Sequence, residues 1–163
     1  MKRKDETPKT LTAFREATME LDNTYSIFPK SCKLSEAEYW SLLLISEGVE
    51  TQSQISDQLF LSRQTLNSAF KQLQKKGLVR LVPYEENQRS KRTFLTDTGK
   101  EFVERNVLKM HWIEERAWQQ MNEDEQVVLT KLIRKFSDLI QKELKSSKFD
   151  TIQGSSEGLR PQP

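Results

Sequence analysis

The sequence predicts a mostly α-helical protein with one small β-hairpin. Two observations carry this prediction. Apolar residues recur every three or four positions over most of the chain, which is the spacing of one face of an α-helix. Within residues 78–96 the pattern changes to two short β-prone runs that flank a polar, basic loop. We therefore expect helices before and after a single hairpin.

Residues 62–77 are predicted to form one helix with two chemically different faces. Ser62 is placed to cap its first turn, and Gly77 to adopt the left-handed conformation that ends a helix. The apolar positions share one face and are Leu66, Ala69, Phe70 and Leu73. The opposite face carries basic and hydrogen-bonding side chains without an acidic residue, namely Arg63, Gln64, Asn67, Ser68 and Lys71. Such a face suits phosphates and base edges, which is typical of a DNA recognition helix.

A polar helix face is more often simply solvated, so the flanking segments decide between the two interpretations. Upstream, Thr51 and Gln54 have the spacing of a capping box at the start of a short helix, and Phe60-Leu61 forms a turn into residue 62. This arrangement predicts a helix-turn-helix. Downstream, the predicted hairpin would be a wing, so the class becomes a winged helix-turn-helix plus a helical dimerisation region.

The remaining helices are predicted from their caps and stripes. A first helix begins at Thr7-Pro8 and continues to Pro29, and a second runs from the capping box at Ser35 to Gly48. After the hairpin, Thr96 or Asp97 caps a long helix that reaches residue 121, and residues 122–125 cap the last one. The predicted domains are an N-terminal dimerisation helix (1–30), a winged helix-turn-helix (31–96), C-terminal dimerisation helices (97–146) and a disordered tail (147–163).

Composition limits what the protein does. Hydrophobic residues make up 35% and charged residues 31% of 163 residues, a thin apolar supply for a long helical monomer, and this favours burial between subunits. The single cysteine and single histidine, Cys32 and His111, exclude a cysteine-based zinc site and leave little acid-base chemistry. We expect no metal, no cofactor and no enzymatic activity. No apolar run approaches the roughly 20 residues that span a membrane, so we expect a cytoplasmic protein.

Charge is unevenly distributed along the chain. The net charge is +2, but residues 62–92 contain eight basic and two acidic residues, which gives +6 there and −4 elsewhere. Positive charge collected on the predicted helix and wing is the electrostatic pattern of a nucleic-acid surface. To the recognition-helix residues we therefore add Arg89, Lys91 and Arg92 as candidate DNA contacts.

Two motifs in this segment resemble the MarR family of bacterial transcription regulators. S-R-Q-T at residues 62–65 and L-Q-K-K-G-L-V at residues 73–79 are similar to the family's recognition helix and following strand. Asn87-Gln88-Arg89 with L-T-D-T-G at residues 95–99 resembles its wing pattern, D-x-R followed by L-T-x-x-G. Together with the order of the helices, the likeness covers roughly residues 10–145.

This resemblance implies a homodimer that binds a pseudo-palindromic operator on double-stranded DNA and represses, or sometimes activates, transcription. The first and last helices would join the two subunits, and Arg63, Gln64, Asn67 and Ser68 would contact bases and phosphates. Arg89 would be the wing-tip arginine. Because Asn87 replaces the family's aspartate, a salt bridge that orients this arginine becomes at best a neutral hydrogen bond.

The resemblance also implies a small-molecule effector that releases the DNA. Four residues are candidates to line its cavity, although core or dimer packing is the more common role of such residues: Tyr39, Trp40, His111 and Trp112. Some relatives sense peroxide through a cysteine near the start of the first helix. Cys32 lies just before the second helix, so that role does not transfer, and we expect a small buried apolar group.

Two other functions compete with this one. A winged helix also serves as a protein-interaction module without sequence-specific DNA binding, but such surfaces tend to centre on aromatic and apolar anchors. An enzyme comes third, because the sequence shows no Ser/His/Asp set, metal cluster or glycine-rich phosphate loop.

Overall fold

The structure is a computed structural model that describes residues 10–84 and 91–146. Its first five helices are α1 (Leu11–Tyr25), α2 (Ile27–Ser31), α3 (Glu36–Ser46), α4 (Gln52–Leu59) and α5 (Arg63–Lys75). The strands β1 (Val79–Pro83) and β2 (Lys91–Leu95) follow. The chain continues through α6 (Asp97–Phe102), a π-helical turn (Val103–Val107), α7 (Leu108–Trp118) and α8 (Glu123–Ser146). The predicted class, mostly helical with one small hairpin, is confirmed.

The described residues up to Glu114 form one compact unit, and those from Glu115 form a second. The core of the first unit lies where α3, α4 and α5 meet. Its largest fully buried side chains include Tyr39, Leu42, Ile55, Phe70 and Leu73. The whole predicted stripe of α5 is buried, since Leu66 and Ala69 are also inside. Burial of this stripe fixes which face of α5 remains exposed.

The helix boundaries follow the predicted caps. Both capping boxes form, with the Ser35 hydroxyl accepting from the Glu38 amide at 3.2 Å and the Thr51 hydroxyl from the Gln54 amide at 3.2 Å. Gly48 and Gly77 have φ of 97° and 69° at the ends of α3 and α5. Only glycine adopts such angles without strain, so these two helices end where the sequence indicates.

The hairpin is antiparallel, with Val79 opposite Leu95 and Pro83 opposite Lys91. A short segment before α4 pairs with β2. The Thr93 amide donates to the Glu50 carbonyl at 2.7 Å, and Thr51 forms an antiparallel β-bridge with Arg92. The wing is therefore attached to the start of α4. The predicted loop between the strands, including Asn87 and Arg89, lies outside the described residues.

Two predicted helices differ from those observed. The predicted start at Thr7-Pro8 lies outside the described residues, within which α1 begins at Leu11 and the Thr10 hydroxyl accepts from the Ala13 amide at 3.1 Å. The first helix also stops at Tyr25, and Pro29 lies in the first turn of the short α2, where its missing N–H costs no hydrogen bond.

The predicted long helix from Thr96 to residue 121 is likewise not continuous. A π-helical turn at Val103–Val107 interrupts it, and α7 ends at Trp118. Val103 and Val107 are both buried in the core of the first unit. The wider turn thus places two valines inside.

The second unit is built around α8. Asn122 and Glu125 cap it reciprocally, with the Glu125 amide donating to Asn122 Oδ1 at 2.9 Å and the Asn122 amide to Glu125 Oε2 at 2.8 Å, as predicted. One face of α8 is apolar yet exposed and includes Val128, Leu132, Ile133, Leu139, Ile140 and Leu144. In the first unit, α1 is similar, with Leu11 and Leu21 about half exposed. Among the described helices none is long and apolar enough to cross a bilayer.

Candidate nucleic-acid interface

The exposed face of α5 is the one predicted to meet DNA. Arg63, Gln64, Asn67, Ser68 and Lys71 are all exposed, while the apolar stripe faces the core. The Ser62 hydroxyl caps the helix by accepting from the Thr65 amide at 3.1 Å. This cap begins the helix at Arg63, so two of the predicted contact residues lie in its first turn.

Two grooves flank this face. One, of about 510 Å³, brings together Arg63 and Asn67 of α5, Lys91 of β2, and Gln52 and Ser53 of α4. The other, of about 750 Å³, runs between α5 and the start of α3 and is lined by Gln64, Ser68 and Gln72 on the α5 side. Lys71 shares the exposed face but lines neither groove.

Sequence reasoning missed Gln52 and Ser53. They are the first two residues of α4, directly after its cap Thr51. The capping box could have identified them, because it marks the first turn of α4. In a helix-turn-helix, this turn of the first helix lies beside the exposed face of the recognition helix. Their side chains add hydrogen-bonding groups to the groove that holds Arg63 and Lys91.

Arg92, a predicted DNA contact, already has protein partners. Its Nε lies 3.6 Å from Glu50 Oε2, and its guanidinium lies 4.7 Å from the centroid of the Tyr84 ring. The hydrogen bond that Arg92 donates to Tyr84, together with the negative charge of Glu50, raises the pKa of Arg92 above its usual value. Arg92 thus joins β2 to the segment before α4, and a phosphate contact would have to compete with Glu50.

Arg80 is a second wing cation that the sequence did not single out as a contact. It lies opposite Phe94 in the hairpin, with its guanidinium 4.8 Å from the ring centroid. In the described part of the wing, two arginines therefore stack on aromatic rings. Arg80 lies on Phe94, and Arg92 lies on Tyr84, the residue that follows β1. Stacking holds a guanidinium in place while it remains charged.

An ion pair holds the C-terminal end of α5. Lys76 Nζ lies 2.7 Å from Glu38 Oε1, and the Ser35 amide donates to Glu38 Oε2 at 2.7 Å. Burial acts to raise the pKa of the Glu38 carboxyl. Hydrogen bonds from Lys76 and Ser35 and the positive charge of Lys76 outweigh this effect, so the pKa lies below its ordinary 4.5. One carboxylate thus joins the cap of α3 to the end of α5.

We expect Glu38→Gln to lower the free energy of unfolding at neutral pH by about 1–2 kcal/mol, since Lys76 is 38% exposed and solvent screens part of its charge. Because the folded-state pKa of Glu38 is depressed, this stabilisation is present above about pH 4.5 and is lost as the pH falls through the folded-state pKa. Urea unfolding at neutral pH and in acid measures it. The exposed Glu36→Gln is the control, and equal losses in both variants at neutral pH would contradict the assignment.

The segment after β2 holds the same end of α5. The Thr96 hydroxyl donates to the Gly77 carbonyl at 2.5 Å, and the Thr96 amide donates to the Leu78 carbonyl at 3.0 Å. Gly99, in the first turn of α6, packs directly on this backbone, because a Cβ there would lie 1.9 Å from the Leu78 oxygen. The orientation of α5 therefore depends on α6 as well as α3.

The four predicted effector residues do not share one environment. Tyr39 is fully buried, and its hydroxyl donates to the Val107 carbonyl at 3.4 Å. Trp40 packs edge-on against Tyr39, with ring centroids 4.9 Å apart. His111 Nδ1 lies 3.7 Å from Glu114 Oε2, and Trp112 is 54% exposed. None of the four lines either groove beside α5.

A neighbouring residue that sequence reasoning placed only in the apolar stripe, Tyr25, connects this region to α1. Its hydroxyl donates to Glu114 Oε1 at 2.6 Å, and burial together with Glu114 raises the pKa of Tyr25 to about 12. Cys32 is buried, as predicted. Burial raises the pKa of its thiol, and the Ser31 hydroxyl offsets only part of this. A protonated, buried thiol reacts slowly.

Comparison with known proteins agrees with this geometry. Residues 34–90 match the model of the MarR family. The MarR family regulator NMB1585 from Neisseria meningitidis has a similar structure, with a TM-score of 0.67 and 20% identity over 82% of this chain and 97% of that chain. No curated protein matches the sequence.

Two further solved structures are similar. The PcaV transcriptional regulator of Streptomyces coelicolor, in complex with its natural ligand, gives a TM-score of 0.62 and 19% identity over 84% of this chain and 98% of that chain. BpsR of Bordetella bronchiseptica, whose DNA binding is regulated by 6-hydroxynicotinic acid, gives a TM-score of 0.63 and 18% identity over 83% of this chain and 99% of that chain. At such identities the likeness is one of fold.

The family consists of transcription regulators and not of enzymes, in agreement with the prediction that the chain has no catalytic role. The match over residues 34–90 covers the helix-turn-helix and both grooves except Lys91, and the solved structures extend the same fold over most of the chain. Residues 34–90 therefore resemble the winged helix of the MarR family, and most of the chain has the fold seen in the solved MarR-family regulator.

Proposed function

We propose that the protein is a homodimeric repressor that binds a pseudo-palindromic operator through α5. The observation that carries this proposal is the two-sided character of that helix. Its apolar stripe is buried, and its exposed face presents cations and hydrogen-bonding groups without an acidic residue. This surface matches the chemistry of a major groove, in which phosphates position a protein and base edges specify the sequence.

We assign different roles to the exposed side chains. Gln64, Asn67 and Ser68 read base edges, because they lie in the N-terminal half of α5, the part that a helix-turn-helix lowers into the groove. Phosphates and groove walls are contacted by the cations, namely Arg63, Lys71, Arg89, Lys91 and Arg92. Lys91 lines the same groove as Arg63 and Asn67, which supports a joint surface of helix and wing.

The dimer is proposed from exposed apolar surface on the terminal helices. A second copy of the chain would cover the stripe of α8, where Leu132 is 56% and Leu144 51% exposed, and the stripe of α1, where Leu11 is 52% exposed. Soluble proteins rarely leave such continuous apolar faces uncovered. Two copies also supply two recognition helices for the two half-sites of an operator.

Release of DNA by a small molecule is part of the same proposal. It is supported by the fold shared with PcaV, solved with its natural ligand, and with BpsR, whose DNA binding responds to 6-hydroxynicotinic acid. Tyr39, Trp40, His111 and Trp112 remain the candidate residues. Two of them belong to one aromatic cluster, in which Trp40 packs against both Tyr25 and Tyr39.

Asn67→Ala tests the proposed reading of sequence. We expect a loss of roughly 1–3 kcal/mol of discrimination for each base contact removed, because an amide side chain pairs bidentately with adenine. The measurement is binding to a duplex selected from random DNA and to a scrambled duplex of the same composition. Asn67→Ala should weaken the first far more than the second.

The control is Lys75→Ala, because Lys75 is exposed at the last residue of α5, beyond the groove-facing half. It should change the preference between the two duplexes little. If Asn67→Ala weakens both duplexes equally, α5 positions the protein without reading bases. If wild-type protein binds neither duplex, the alternative of a protein-interaction module replaces this proposal.

A further inference from the structure

Phe60, in the turn between α4 and α5, has two features that cost folding free energy: its exposed ring and its backbone conformation. It is 94% exposed, although it is a large aromatic residue. Its φ is 53°, in the left-handed region that bulky side chains rarely adopt. Glycine or asparagine would close this turn with less strain and less exposed apolar surface. Strained residues tend to occur where function requires them.

The turn that carries Phe60 is fixed by Ser56. The Ser56 carbonyl accepts from the amides of Phe60 and Leu61, the latter at 3.1 Å. The Ser56 hydroxyl donates to the Leu61 carbonyl at 2.8 Å. Leu61 packs against the core, whereas Phe60 does not. The exposed ring is therefore presented by a backbone that is hydrogen-bonded on both sides.

Phe60 stands in the turn directly before α5, and this place in the fold indicates what its side chain would meet. Phe60 lies three residues before Arg63, the first residue of α5, and Leu61 and Arg63 each line one of the grooves beside the helix. In a helix-turn-helix the recognition helix enters the major groove by its N-terminal end, while the leading helix crosses the backbone. The turn between them then lies at the rim of the groove.

We propose that Phe60 is a DNA contact, whose ring packs on an apolar group at the rim of the groove in each half-site. The apolar groups available there are the 5-methyl group of thymine and the deoxyribose. This inference rests on the proposed function and extends it, since the contacts assigned above to α5 and the wing are polar or charged. DNA is the occupant because the residues that follow Phe60 form the cationic face described above.

Phe60→Gly tests the inference because stability and binding should change in opposite directions. Glycine adopts the left-handed angle without strain, so the melting temperature should equal or exceed that of wild type. Affinity for the selected duplex should fall roughly tenfold, the size of a lost specific contact. Lys33→Gly is the matched control, since Lys33 is exposed with φ of 55° outside α4 and α5. It should leave affinity unchanged.

A second duplex, with thymine replaced by deoxyuridine, identifies the DNA group. If wild type weakens on it and Phe60→Gly weakens no further, Phe60 contacts the methyl group. If wild type is unaffected while Phe60→Gly is weaker on both duplexes, it contacts the deoxyribose. A variant that binds as tightly as wild type overturns the inference while the proposed function stands, and a protein-binding role for Phe60 would replace it. If wild type itself does not prefer the selected over the scrambled duplex, both proposals fail.

Discussion

Gly99→Ala should lower the free energy of unfolding by about 3 kcal/mol or more, because its Cβ would lie 1.9 Å from the Leu78 carbonyl oxygen. That oxygen belongs to the backbone, so a rotamer change cannot relieve the overlap. The new methyl group would push α6 away from the end of α5 and strain the hydrogen bonds that Thr96 makes to Gly77 and Leu78. Urea unfolding measures the loss.

The sign of this effect separates the structural account from helix propensity. Alanine is favoured over glycine inside a helix by about 1 kcal/mol, so propensity alone predicts that Gly99→Ala stabilises α6. Thr98→Ala, at the exposed neighbouring position, is the control and should be close to neutral. A Gly99→Ala variant as stable as Thr98→Ala would show that α6 does not pack on Leu78 as described.

Leu132→Asp should dissociate the proposed dimer or unfold the chain. Leu132 is 56% exposed in the single chain, where an aspartate would cost little. If a second copy covers it, each buried leucine contributes about 1.5–3 kcal/mol, and a dimer contains two. Association should therefore weaken by at least about 100-fold. Sedimentation equilibrium over a range of protein concentrations measures this directly.

The matched control is Gln141→Asp, which makes the same change of charge at an exposed position on the opposite side of α8. It should sediment as wild type does. A wild-type mass equal to one chain at micromolar concentration would contradict the dimer. So would a Leu132→Asp variant with the same mass and stability as Gln141→Asp.

Local signals predicted much of the fold and of the candidate interface. The cap Ser62, the stripe ending at Leu73 and the glycine at residue 77 defined α5 almost to the residue. The same signals predicted its exposed face, because a buried stripe leaves only the opposite side free for DNA. The capping boxes at Ser35 and Thr51 likewise predicted where α3 and α4 begin, because their hydrogen bonds involve residues within one helical turn.

Features that depend on distant residues were not predictable in this way. Glu38 and Lys76 are far apart in sequence and meet only because α3 packs on α5. The pairing of Glu50 with Thr93 involves a segment too short to show strand alternation. Apolar periodicity cannot distinguish an α-helix from one interrupted by a π-helical turn, so Val103–Val107 was missed. The left-handed Phe60 also contradicts the residue preference for such a turn.

The central claim is that the protein reads a DNA sequence as a symmetric pair of half-sites. Selection of bound duplexes from random DNA by the full chain, followed by sequencing, tests it most directly. The account predicts one enriched motif with two inverted half-sites about one helical turn, roughly 10 base pairs, apart. Enriched DNA without a shared motif, or a motif with a single unpaired half-site, would contradict it.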